Sequence, residues 1–143
     1  MLRLLESVHG HLGALAVIAL VHPAILMRRG RPLSRGVRLS VWLTTVVCGA
    51  AFGLGVSIYG DYRALVKADL FRASVRAGFL FETKEHLAFA TLALALAAGA
   101  SALLAPPEAT EIRRLSAALY AAAAVLCLVV ASLGTFIQSI HGF

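Results

Sequence analysis

His9-Gly-His11-Leu-Gly-Ala-Leu-Ala-Val-Ile-Ala-Leu-Val-His22-Pro23 is an apolar stretch that, with its flanks, is long enough to cross a bilayer. It carries three of the five histidines of the chain. Ionisable side chains inside a membrane segment are costly and need a reason. At about 100° per residue, the eleven positions from His11 to His22 leave a net rotation of about 20°. The two therefore share one stripe, with Leu15 and Ile18 between them, about 16 Å apart along the axis. His9, two residues before His11, points to nearly the opposite side. What the His11/His22 stripe faces is the central question the sequence raises.

The composition agrees with a membrane reading. Of 143 residues, 60% are hydrophobic and only 14% charged, with mean hydropathy +0.87. A soluble domain carries about 25% charged residues. The net charge of +6 does not signal nucleic acid, because the basic residues sit between apolar runs, where they set topology and meet lipid headgroups. Cys48 and Cys127 each lie within an apolar run and no CxxC occurs, which excludes covalent c-type haem and a zinc knuckle. No hydrolase constellation and no phosphate-binding loop is present. Met-Leu-Arg-Leu-Leu-Glu at the start reads as the beginning of the first span rather than as a signal peptide.

Four apolar runs reach the roughly 20 residues a spanning helix needs, at about 5–27, 37–59, 86–104 and 115–140. The expected fold is all-α, an integral membrane four-helix bundle in up-down-up-down order, with residues 1–143 forming one transmembrane domain. The first loop, Arg28 to Arg38, holds five arginines and no acid, so it is expected in the cytoplasm of a cell inner membrane, with both termini on the outer face. Residues 60–85 mix both signs of charge with Leu65, Leu70, Phe71, Val75, Phe79 and Leu80. Part of that loop is expected to lie as an amphipathic helix on the membrane surface.

In this topology His9, His11, His86 and His141 gather at the outer end and His22 at the inner end. Gly10, Gly13, Gly53, Gly55 and Gly134 fall at the same outer level, where glycine lets a flat cofactor or a second backbone approach. Gly49 and Gly53 also form a small-xxx-small pair of the kind that packs helices together. Neutral imidazole ligates haem iron well, and two histidines from facing helices supply both axial positions. His11 and His86, on diagonal spans, are the expected axial pair of one haem b, with His141 the alternative ligand. Gly13, Gly53 and Gly134 are expected to line the macrocycle. His22 has no second histidine at the inner end, so a second haem needs a ligand from a partner. Otherwise His22 meets a propionate, a quinone oxygen or a carbonyl. Glu82, Glu85 and His86, with His9 or His141, are a lesser candidate for a carboxylate–histidine metal site.

Four spans with His11, His22, His86 and His141 near their ends resemble the small four-helix membrane cytochrome b subunits, among them the b561-like family and the haem-bearing anchors of succinate dehydrogenase-type complexes. The resemblance is one of overall pattern and rests on no specific motif. It implies electron transfer between the quinone pool and other membrane or extracytoplasmic redox subunits, with lipid as the remaining partner. The chain departs from two-haem members in lacking inner ligands beside His22. Two other readings of the residues stand beside it: a non-redox scaffold subunit of a larger membrane complex, and a pigment-binding subunit.

Overall fold

A computed structural model describes the backbone of residues 2–141 and the side chains from Arg3 to Ser139. The described chain is helical almost throughout. Helix α1 spans Leu2–Met27, α2 Arg35–Tyr62, α3 Ala68–Ala73, α4 Val75–Leu104 and α5 Thr110–His141, with a π-helical turn at Arg63–Lys67 joining α2 to α3. Four helical stretches are long and apolar enough to cross a membrane. Pro23 lies inside α1, where it removes one backbone donor, and its ring is fully buried.

The helix ends follow from local chemistry. The Gly30 amide donates to the Met27 carbonyl at 2.8 Å, and Gly30 adopts φ +65°, a left-handed conformation that only glycine takes cheaply. Ser34 then caps α2, its hydroxyl accepting from the Val37 amide at 3.3 Å. At the far end of α4, Pro106 and Pro107 forbid continuation, and Ala105 leaves the helix in an extended conformation.

The helices form a ring in which α1 and α4 are diagonal. Helix α5 packs extensively against both α4 and α1, and α1 against α2, while the seam between α2 and α4 is the sparsest. The main core is built largely of alanine, including Ala16, Ala95, Ala98, Ala102, Ala123 and Ala124, around Leu20, Val41 and Tyr120. Small side chains let helix backbones approach closely, which is how helices associate where lipid removes the hydrophobic drive. Large apolar residues such as Ile18, Leu39, Val46, Phe89 and Val125 point outward, as lipid-facing positions should. The start of α1 meets the end of α5 along a shared groove, so the two helices begin and end at the same end of the bundle.

Residues 60–85 depart from the expected loop. Helix α2 continues through the π turn into α3, and the chain reverses at a single residue, Ser74 (φ −163°, ψ 121°), before α4 begins at Val75. The third span therefore starts eleven residues before His86. The apolar residues of this hairpin do not all lie on a surface. Val66, Leu70, Ala77 and Phe81 bury against Ile137 of α5 in a second small core. The physical reason is that a helical hairpin hides its own apolar face, whereas a lone surface helix needs lipid to do so.

Candidate functional site

The end of the bundle where α1 begins and α5 ends brings His9, Glu6, Lys84 and Glu85 into one polar layer. His9 is the inward histidine. Its Nδ1 lies 3.0 Å from the Ala51 carbonyl of α2, and since a carbonyl only accepts, Nδ1 carries the proton and donates. The ring lies over Gly55, where a Cβ would come within 2.9 Å of the imidazole Cε1. Gly55 is thus a glycine because His9 occupies the space beside it. Lys84 of α4 reaches the same layer. Its Cε and Nζ lie 3.5 Å from where a Cβ of Gly134 would stand, and its ammonium sits 5.9 Å from the centroid of the Phe81 ring.

Carboxylates complete the layer. One oxygen of Glu85 meets the Tyr59 hydroxyl at 3.5 Å, while its other oxygen, Oε1, is buried with no hydrogen-bond partner among the described residues. Glu6 Oε1 of α1 is buried and unpartnered in the same sense. Tyr62 stacks on Phe81 with centroids 5.6 Å apart, and Lys67 bridges to Glu82 at 2.9 Å above them. Buried acceptors without donors are costly, and they concentrate at functional positions and where a bound molecule completes the set.

The two expected haem ligands lie elsewhere. His11 is exposed, and its Nδ1 donates to the Ser7 carbonyl of its own helix at 2.7 Å. His86 is likewise exposed and donates to the Glu82 carbonyl at 2.7 Å. They stand on diagonal helices and both face away from the shared interior, so the fold does not bring them together. The space that the glycines were expected to leave for a macrocycle is differently used. Gly53 is exposed with nothing within 4 Å of a would-be Cβ, Gly13 is half-buried and equally open, and Gly134 faces Lys84. A haem spanning His11 and His86 inside one chain does not fit this arrangement.

His22 is exposed at the opposite end of α1, and its Nδ1 lies 2.7 Å from the hydroxyl of buried Ser40 on α2. One turn earlier on α1, the Ala19 carbonyl accepts from Thr44 at 2.7 Å, so His22 belongs to a polar seam that ties α1 to α2. His141 is the last helical residue of α5, and its side chain lies outside the described residues. Among the described residues no three His, Cys, Asp or Glu side chains gather around a point as a metal ion requires, so Glu82, Glu85, His86 and His9 do not form that cluster.

Sequence reasoning missed Glu6 and Lys84, and named Glu85 only as a metal-ligand candidate beside Glu82 and His86. The signal was the adjacent charged pair Lys84-Glu85. It reads as a loop while the third span is taken to start at His86, and as an interior pair once the helix is known to begin at Val75.

No protein-family model, no characterised protein and no solved structure matches this chain.

Proposed function

We propose that this chain is a membrane-embedded subunit of a larger complex, whose α2 helix docks against a helix of another subunit. The observation that carries the reading is the outer face of α2. Gly49, Gly53, Ser57 and Gly60 are all exposed and recur at spacings of four, four and three, so they form one stripe along the helix. Nothing lies within 4 Å of a Cβ at Gly49, Gly53 or Gly60. Each glycine lowers helix stability by about 1 kcal/mol relative to alanine, so a run of them with no packing use inside the chain is expensive. Close approach of a second helix backbone is the use that such a stripe serves in membranes. Native electrophoresis of detergent-extracted membranes tests this. The wild-type chain is expected to migrate in a complex well above its own 15.0 kDa, and Gly53→Ile to release it. A wild-type chain that migrates alone contradicts the reading.

A second reading, electron transfer through haem b between the quinone pool and a partner redox subunit, is favoured by one specific observation. In His11 and His86 the Nδ1–H is committed to a backbone carbonyl, which leaves the Nε2 lone pair directed away from the helix. That is the tautomer of a metal-ligating histidine, whose other ring nitrogen is commonly held by such a carbonyl. Each would offer one axial ligand at the bundle surface, the other coming from a partner. Bound there, haem would supply one-electron chemistry, and the part of this chain is to hold the imidazole in the ligating tautomer. The pigment-binding alternative rests on the same two imidazoles. An absorption spectrum of the complex from native membranes separates these readings. A Soret band lost in His86→Ala supports haem, far-red absorbance supports pigment, and a featureless spectrum leaves the docking subunit alone.

A further inference from the structure

The groove between the first turns of α1 and the last turns of α5 is unused by the docking reading, and of its lining the haem reading uses His11 alone. It has a volume of about 530 Å³ and is lined by Arg3, Glu6, Ser7, Gly10, His11, Ala14, Thr135 and Gln138. That volume lies within the roughly 300–1,000 Å³ of small-molecule sites. It opens at the bundle surface, at the end of the spans where lipid headgroups meet the protein.

Its charges are separated and unmatched. Arg3 and Glu6 stand three residues apart on one wall, yet among the described residues neither is part of an ion pair. Glu6 lines the groove and makes no hydrogen bond among the described residues, its Oε1 being buried without a donor, so its carboxylate is an unmatched acceptor at the groove wall. His11 Nε2 is a second acceptor, because Nδ1 holds the proton in its bond to Ser7. Thr135 donates its hydroxyl hydrogen to the Ala131 carbonyl at 3.1 Å, which leaves its oxygen lone pairs as a third acceptor. Three lining groups thus accept hydrogen bonds, while Arg3 and the Gln138 amide donate them.

A ligand that fits carries a hydrogen-bonding cation and an anion a few atoms apart. We propose that this groove binds the headgroup of a zwitterionic phospholipid with a primary ammonium, of the phosphatidylethanolamine type. The ammonium has three N–H donors for Glu6, His11 and Thr135, and the phosphate pairs with Arg3. A quaternary ammonium carries the same charge without a donor and leaves Glu6 unsatisfied. An anionic headgroup places a second negative charge beside Glu6.

Thermal unfolding of the purified full chain in detergent, with phosphatidylethanolamine, phosphatidylcholine or phosphatidylglycerol of matched acyl chains, tests the proposal. Phosphatidylethanolamine is expected to raise the Tm several degrees more than the other two. Glu6→Gln, which keeps the shape and removes the charge, is expected to reduce that shift to the phosphatidylcholine level. Arg3→Gln, at an exposed position near the helix start, is expected to weaken the response to both zwitterionic lipids alike. Equal shifts from all three lipids in the wild type overturn the assignment, as does a Glu6→Gln protein that still prefers phosphatidylethanolamine. A shift produced by a short-chain hydroquinone and absent with phosphatidylethanolamine also overturns it, and gives the groove to a quinol.

Discussion

Arg113 is only 2% exposed and pairs with no carboxylate among the described residues. Its Nε donates to the Gly30 carbonyl at 2.9 Å, and its two terminal nitrogens donate to the carbonyls of Pro106 and Pro107 at 2.8 Å each. One guanidinium therefore ties the α1–α2 loop to the α4–α5 loop; of its three acceptors the Pro106 carbonyl also accepts from the Ala109 amide at 3.0 Å. Arg113→Ala leaves the Gly30 and Pro107 carbonyls without a donor and opens a cavity, and is expected to cost on the order of 3 kcal/mol, read as a lowered Tm in detergent. Arg113→Lys is expected to recover only part of this, because an ammonium lacks the planar fork. Gly30→Ala is expected to destabilise as well, since a Cβ there meets the Thr110 carbonyl oxygen at 2.8 Å and the φ of +65° is unfavourable for alanine. None of this is legible in the sequence. Arg113 and Arg114 read alike as loop cations, and only the fold shows that the first is a buried clamp while the second pairs at the surface with Glu111 at 2.7 Å.

Among the elements, the α2–α3–α4 hairpin decides how deep each residue of the third span sits. Ser74 makes the reversal and also caps α4, its hydroxyl accepting from the Ala77 amide at 3.4 Å. Ser74→Ala is expected to cost about 1 kcal/mol and to raise amide exchange in the first turn of α4 before the rest of the helix responds. Gly78 lies beneath the Phe71 ring so closely that any Cβ would overlap it. Gly78→Ala is therefore expected to spread the hairpin, read as faster proteolysis between Arg72 and Arg76. The apolar content of this segment was readable in the sequence, but its conformation was not. Charges at Asp61, Arg63, Lys67, Asp69, Arg72 and Arg76 suggest a loop, because hydropathy averages over a window and hides a helix that extends beyond the bilayer.

For the molecule as a whole, four apolar helices and their antiparallel order follow directly from hydropathy and from the short loops at Arg28–Ser34 and Ala105–Ala109. The diagonal placement of α1 and α4 also matches the simple bundle expected from sequence. What the sequence could not show is which way each histidine turns. Helical phase puts His9 opposite His11, but it cannot say which of the two faces the neighbours, and the answer, His9, reverses the expected roles. The orientation in the membrane rests on the five arginines from Arg28 to Arg38. A reporter fused at Ser34 is expected to be cytoplasmic, and an external signal there would invert the assignment of both ends.

The exposed stripe on α2 carries the central claim, and a thiol placed in it reports on it within native membranes. Cys48 and Cys127 are both buried, so Gly53→Cys adds one accessible thiol on the outer face of α2. Treatment with a short thiol-to-amine or thiol-to-thiol cross-linker, at low expression in the native membrane, is expected to yield one discrete larger species. A thiol at Val125, also exposed but on α5, the helix diagonal to α2, is expected to give none. Equal cross-linking from both positions, or none from Gly53→Cys, would contradict the account.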